Sequence, residues 1–147
     1  MSENETGTEA FEAARARRIK VNVAITNVER AAARASSKPT WREKVVAELR
    51  DLAVAFDQHV EEVEGEDGLL AELRLTAPRL SNKIERVQSE HPGLRSMIAD
   101  TVESVRTSND PDADRAMILD TLVAIARHRQ SGADLAYEGY SVDIGGG

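Results

Sequence analysis

The chain contains no cysteine, which excludes disulfides, thiolate metal sites and cysteine nucleophiles and suits a reducing, cytoplasmic setting. Aromatic residues number five and prolines four, and glycine is scarce away from the C-terminus. An apolar content made of Ala, Val, Leu and Ile, beside abundant Ala, Glu and Arg, describes an all-helical protein. No apolar run approaches the ~18 residues of a membrane-spanning helix, and no hydrophobic segment of a secretory leader is present. Positive charge is also in deficit, with 19 Lys and Arg against 26 Asp and Glu for a net charge of −7. Nucleic-acid binding, which needs a basic footprint, is therefore not expected. The one basic cluster, Arg15–Lys20, is flanked by acids and reads as a solvated helix face. There is no Ser-His-Asp pattern, no phosphate-cradling glycine loop and no carboxylate pair of glycosidase type, so hydrolase, kinase and dinucleotide readings have no support.

What is present is helical periodicity in a chain of 147 residues, a length that suits one domain with a sizeable core. The pattern predicts a four-helix bundle over residues 9–140, with flexible ends at 1–8 and 141–147. In the first helix, with Thr8 as N-cap, Phe11, Ala14, Arg18, Val21, Ile25, Val28, Ala32 and Ala35 recur in steps of three and four. The second begins at Thr40, which forms a capping-box pattern with Glu43. Its seam runs Val45, Leu49, Leu52, Phe56, His59, Val63, weakens at Gly65 and Gly68, and resumes through Leu69, Leu70 and Leu73. The third, entered through Thr76-Ala77-Pro78, carries Leu80, Ile84, Val87, His91, Leu94, Ile98 and Val105. Pro92 directly after His91 predicts a kink or an end to that helix. Thr107–Asp114 is a turn with acidic helix-start chemistry, and the fourth helix packs Ile118, Leu122, Ile125 and Leu135, with His128 at the edge of that face. No helix signal continues past Tyr140.

Short turns between long helices imply antiparallel neighbours in up-down-up-down order, and a rise of about 1.5 Å per residue lets vertical levels be counted from each turn. From a turn at residue 77, His59 lies 18 residues before, Glu64 13 before and His91 14 after. From a turn at residue 109, His91 lies 18 before and His128 19 after. Glu64, His91 and His128 thus fall on nearly one level, with His59 roughly 6–8 Å along its helix. The candidate metal ligands are His59, Glu64, His91 and His128, with Glu62, one helical turn from His59, in second rank. Imidazole and carboxylate suit iron, manganese or zinc. On the first helix the carboxylates nearest that level are Glu9 and Glu12. Against this stand plainer readings: a core histidine bonded within the protein, glutamates on a solvated face, or Arg18 paired with Glu64 in place of a metal.

The stretches FDQHVEEVEGEDGLL, PRLSNKIERVQSEHPGL and LVAIARHRQSGADLAYEGYSVDIGG resemble the hemerythrin-like, or HHE cation-binding, family over about residues 20–145. The resemblance implies a four-helix bundle with a non-haem di-iron centre and bridging carboxylates that binds or senses dioxygen or handles iron. By match, His59 and a following glutamate correspond to the family's second-helix ligands, His91 to the third helix and His128 to the fourth. The first-helix histidine of the family is absent here, Val63 stands at its second-helix carboxylate, Val87 and Arg95 flank His91 where a second histidine is expected, and Ala133 stands at its fourth-helix carboxylate. The expectation is a metal-binding bundle whose partners are an iron ion, one or two, and dioxygen or peroxide. The alternative is a metal-free helical scaffold or interaction module; no protein partner is indicated.

Overall fold

In a computed structural model of the chain, residues 3–145 are described, with side chains at 16 and from 18 to 140. The order is α1 (Glu3–Ala33), α2 (Trp41–Glu64), α3 (Leu69–Thr76), a 3₁₀ turn (Pro78–Leu80), α4 (Ser81–Thr107) and α5 (Pro111–Gly145), with no strand among the described residues. The protein is all-helical, a bundle of four long helices in which α1 packs along α2, α2 along α4 and α4 along α5, with α3 against the far ends of α4 and α5. No helix among the described residues is long and apolar enough to cross a membrane.

Local chemistry explains most of the boundaries. Asp110 caps α5: its Oδ1 accepts the Ala113 N–H at 3.2 Å, and Pro111 takes the first helical position, where its missing N–H is no loss. The capping box expected at Thr40 does not form, since Thr40 already has helical backbone angles and its side chain makes no cap bond. Such angles turn the Thr40 hydroxyl away from the N–H groups it would cap. α1 begins at Glu3, ahead of the expected start at Thr8, and α5 runs to Gly145, beyond Tyr140. The side chains of Thr8, Glu9, Phe11, Glu12 and Ala14 lie outside those described. Pro92 neither ends nor interrupts α4; it is exposed, and its missing N–H leaves only the Gln88 carbonyl without its helical donor.

Gly68 makes the break between α2 and α3 possible. A Cβ there would stand 2.2 Å from the Glu62 carbonyl oxygen and 2.8 Å from that of Val63. Only glycine permits this approach of the chain to the end of α2.

The core divides into two clusters. The larger takes in Val21, Val28, Leu49, Leu52, Phe56, Leu94, Ile98, Leu122 and Ile125 from the four long helices. The smaller gathers Leu70, Leu73, Ala77, Leu80, Ile84, Val87 and Leu135 around α3. The predicted seam of the third helix is buried throughout, and that of the second is buried at Val45, Leu49, Leu52, Phe56, Leu70 and Leu73 and partly buried at His59, Val63 and Leu69. At the outer end of the larger cluster lies a polar network that periodicity does not reveal. Asp114 is 1% exposed and its Oδ2 accepts from Arg42 at 2.7 Å, while Arg42 also donates to the Val105 carbonyl. Arg115 donates to the carbonyls of Ala32 and Arg34 at the C-terminus of α1, both at 2.9 Å, and its guanidinium lies 5.0 Å from the buried Trp41 ring.

Two outcomes check this account. Arg42→Ala leaves a buried carboxylate without its partner and is expected to lower unfolding stability by about 3 kcal/mol in urea titration. Gly68→Ala forces the α2–α3 break apart and is expected to cost about 1–3 kcal/mol, with the loss visible as a lowered denaturation midpoint.

Candidate metal centre

His59 on α2, His91 on α4 and His128 on α5 meet at the boundary between the two apolar clusters. Each belongs to a helix whose flanking seam residues are buried, so helical spacing alone drives the three rings inward. His91 and His128 are 1% and 3% exposed, and His59 is half-buried. The ring centroids of His91 and His128 are 4.7 Å apart, and the His59 ring is 6.0 Å from each. One ligand nitrogen from each ring can be chosen so that all three lie within 4.8 Å of one another. Phe56, one turn before His59, closes the floor, its ring about equally far from the three imidazoles at 5.9, 6.2 and 6.0 Å.

Two carboxylates fix the rings from outside. Nδ1 of His91 is 2.6 Å from Oε1 of Glu64, and Nδ1 of His128 is 3.1 Å from Oε1 of Glu90. An ionised carboxylate only accepts, so Nδ1 is the donor in each pair, and in the neutral ring Nε2 keeps its lone pair. Nε2 of His91 is buried with no hydrogen-bond partner among the described residues. An unpartnered nitrogen so deeply buried is costly, and a metal ion is a partner its chemistry fits. Carboxylate on Nδ1 with Nε2 left free is the outer-shell arrangement that orients metal-binding histidines. Metal–imidazole bonds of about 2.1 Å set tetrahedral ligand nitrogens roughly 3.4 Å apart, against a separation here within 4.8 Å.

Electrostatics favours the uncharged form of His59 and His128. His59 is pushed from 6.5 down to about 4, first by burial, then by the charges of His128, His91, Arg129 and Arg18. His128 is also lowered: burial outweighs the bond to Glu90, which acts in the opposite sense, and His91 adds to the lowering. Neutral imidazole is the form that binds metals.

The structure brings together His59, His91 and His128 and adds Glu64 at the rim. Glu62 is not in the cluster; with Lys20, Gln58 and Glu61 it lines a surface depression between α1 and α2. His59, expected one to two turns out of level, stands in the same layer. Counting back from residue 77 treated α2 and α3 as one helix, whereas the chain turns at Gly65–Gly68 and those residues add no rise along α2. His128 lies inside the bundle and not on a charged edge. Glu64 pairs with His91, while Arg18 on α1 is exposed. Glu90 escapes the sequence reading because it serves a ring on another helix; its only signal is its place beside His91 in SEH.

A scan against protein-family models finds no match, and searches of curated proteins and of solved structures return none.

The lowered His59 value carries a pH dependence for the metal-free protein. Between pH 6.5 and 4 the unfolded chain binds a proton that folded His59 does not, so stability is complete above pH 6.5 and falls as pH drops toward 4. The loss amounts to about 3 kcal/mol for the full shift. Urea denaturation of chelator-treated protein at pH 7.5 and 4.5 measures it, and His59→Gln is expected to flatten the difference.

Proposed function

We propose that the chain is a hemerythrin-like protein, an antiparallel up-down-up-down bundle that holds one divalent transition-metal ion on His59, His91 and His128. Iron is the first choice, and the role is oxygen or redox sensing or iron handling. The observation that carries this reading is the three-ring layer with its unpartnered His91 Nε2. Helix order is supported by cross-bundle bonds. Arg115 reaches Ala32 and Arg129 reaches Asn22, so position along α1 falls as position along α5 rises.

The resemblance implied a larger ligand set, with Glu62 or Glu64 on the metal. Glu64 instead supports the ring that would bind it, as Glu90 does for His128. Three neutral nitrogens form a donor set for one ion, suited to iron or zinc, and the resemblance favours iron. When bound, such an ion supplies a Lewis-acidic, redox-active centre with exchangeable positions for water, dioxygen or peroxide. Phe56 and the aliphatic clusters exclude water from the inner side, and the two carboxylates hold protons on Nδ1 so that Nε2 stays available. The half-buried His59 marks the side open to exchange.

Anaerobic iron(II) loading followed by air exposure tests the reading. Metal analysis is expected to give about one ion per chain, with an air-dependent change in the visible spectrum. His91→Ala abolishes both, and Glu64→Gln or Glu90→Gln weakens metal binding by about 10–100-fold. No stoichiometric metal, with His91→Ala indistinguishable from wild type, would leave the metal-free helical scaffold as the answer.

A further inference from the structure

Helix α5 is apolar on two faces. Ile118, Leu122, Ile125 and Leu135, together with His128, turn inward and are buried. On the outer side a second stripe recurs in alternating steps of three and four from Ala116 to Tyr140. Leu119, Val123, Tyr137 and Tyr140 stand on it and are 61%, 40%, 74% and 44% exposed. Exposed alanines at 116, 126 and 133 lie between them, and Gln130 is its one polar member. The seven-residue pattern is unbroken over about 36 Å of helix.

A helix with one side in water needs only one apolar stripe, and a contiguous exposed one marks a contact surface. Steps of three and four, with small residues between large ones, make the seam along which two helices interlock. The flanks select the partner. Asp120, Arg127 and Asp134 each follow a stripe residue, and Arg115, Leu122 and Arg129 each precede one. Bonds to the Ala32 carbonyl and to Asn22 Oδ1 on α1 hold Arg115 and Arg129 at their flank.

Beside a second copy in parallel and in register, each residue that precedes the stripe faces the one five positions on in the other copy. Arg115 then meets Asp120 and Arg129 meets Asp134, and the two-fold axis repeats both pairs. Reversed over the same length, the stripe sets Arg127 against Arg127, Arg129 against Arg129 and Asp120 against Asp134. Gln130 faces its own copy only in the parallel register, where a polar pair in the seam fixes alignment. Its Nε2 donates to Asp134 at 2.8 Å, which orients the amide.

We infer that the outer face of α5 is a self-association surface on which a second copy of this chain docks in parallel, as a two-stranded coiled coil. The histidine layer takes no part, since His128 belongs to the inner face.

Sedimentation equilibrium of the full chain tests the surface. Wild-type protein is expected at twice the chain mass, dissociating on dilution. Leu119→Glu with Val123→Glu, both at exposed positions, weakens association by about tenfold or more, with helical content by circular dichroism unchanged. Orientation is read by cross-linking, to which the chain contributes no native cysteine. Ala133→Cys, on the stripe, is expected to oxidise to a disulfide-linked dimer about tenfold faster than Ser131→Cys, exposed but off it. Position 133 faces itself in the parallel pair, whereas the reversed pair holds the two about 15 Å apart. A monomer at every concentration overturns the proposal, as does equal association of wild type and double variant. Equal oxidation of the two cysteine variants overturns it too, and that comparison decides alone if the double variant loses helix.

Discussion

His59 and His128 share a largely buried layer with His91 and are held uncharged there, and much of the surrounding architecture serves that condition. A proton on His59 or His128 would set a charge among apolar side chains and beside two more histidines. Burial and mutual repulsion therefore hold His59 and His128 below their ordinary values. Neutral rings still have polar nitrogens to satisfy. Glu64 and Glu90 take the Nδ1 protons of His91 and His128 from the rim, where both carboxylates keep contact with solvent. The arrangement meets half of each ring's needs and directs the other half inward.

That division of labour changes what the resemblance to hemerythrin-like chains implies. A di-iron centre with bridging carboxylates needs acids inside the layer, whereas here the acids stand behind the imidazoles. The helix that would bring a further histidine, α1, brings Arg18 to the neighbourhood instead. A cluster whose inner groups are three imidazoles, with no carboxylate among them, has a different electrostatic character from such a centre.

Much of the bundle was legible because its seams are nearly pure periodicity. Leu49, Leu52 and Phe56 on α2, and Ile84, Val87, His91, Leu94 and Ile98 on α4, recur every three or four residues and are buried for that reason. The nearness of Glu64 to His91 was readable from helical rise only in part, since the turn at Gly65–Gly68 shifts the count for Glu64 as it does for His59. The position of His59 was not, because it depends on how far Gly68 lets the chain fold back on α2. Asp114 with Arg42, and Glu90 with His128, are contacts between different helices that no single-helix pattern records. Pro92 does not end its helix for a related reason: its cost falls on one carbonyl, and the packed neighbours of His91 hold the helix through it.

The division of the apolar interior into two clusters has a thermodynamic consequence. The histidine layer is the joint between them, and without an occupant it offers each side less cohesion than a continuous hydrocarbon core would. The cluster built on α3 is smaller and bounded by a glycine-containing break. It is thus the end from which subglobal opening starts, with amide exchange faster there than around Leu49 and Ile98. An ion bound across α2, α4 and α5 would fasten these two cooperative units into one, converting occupancy of the layer into rigidity at the far end of the bundle.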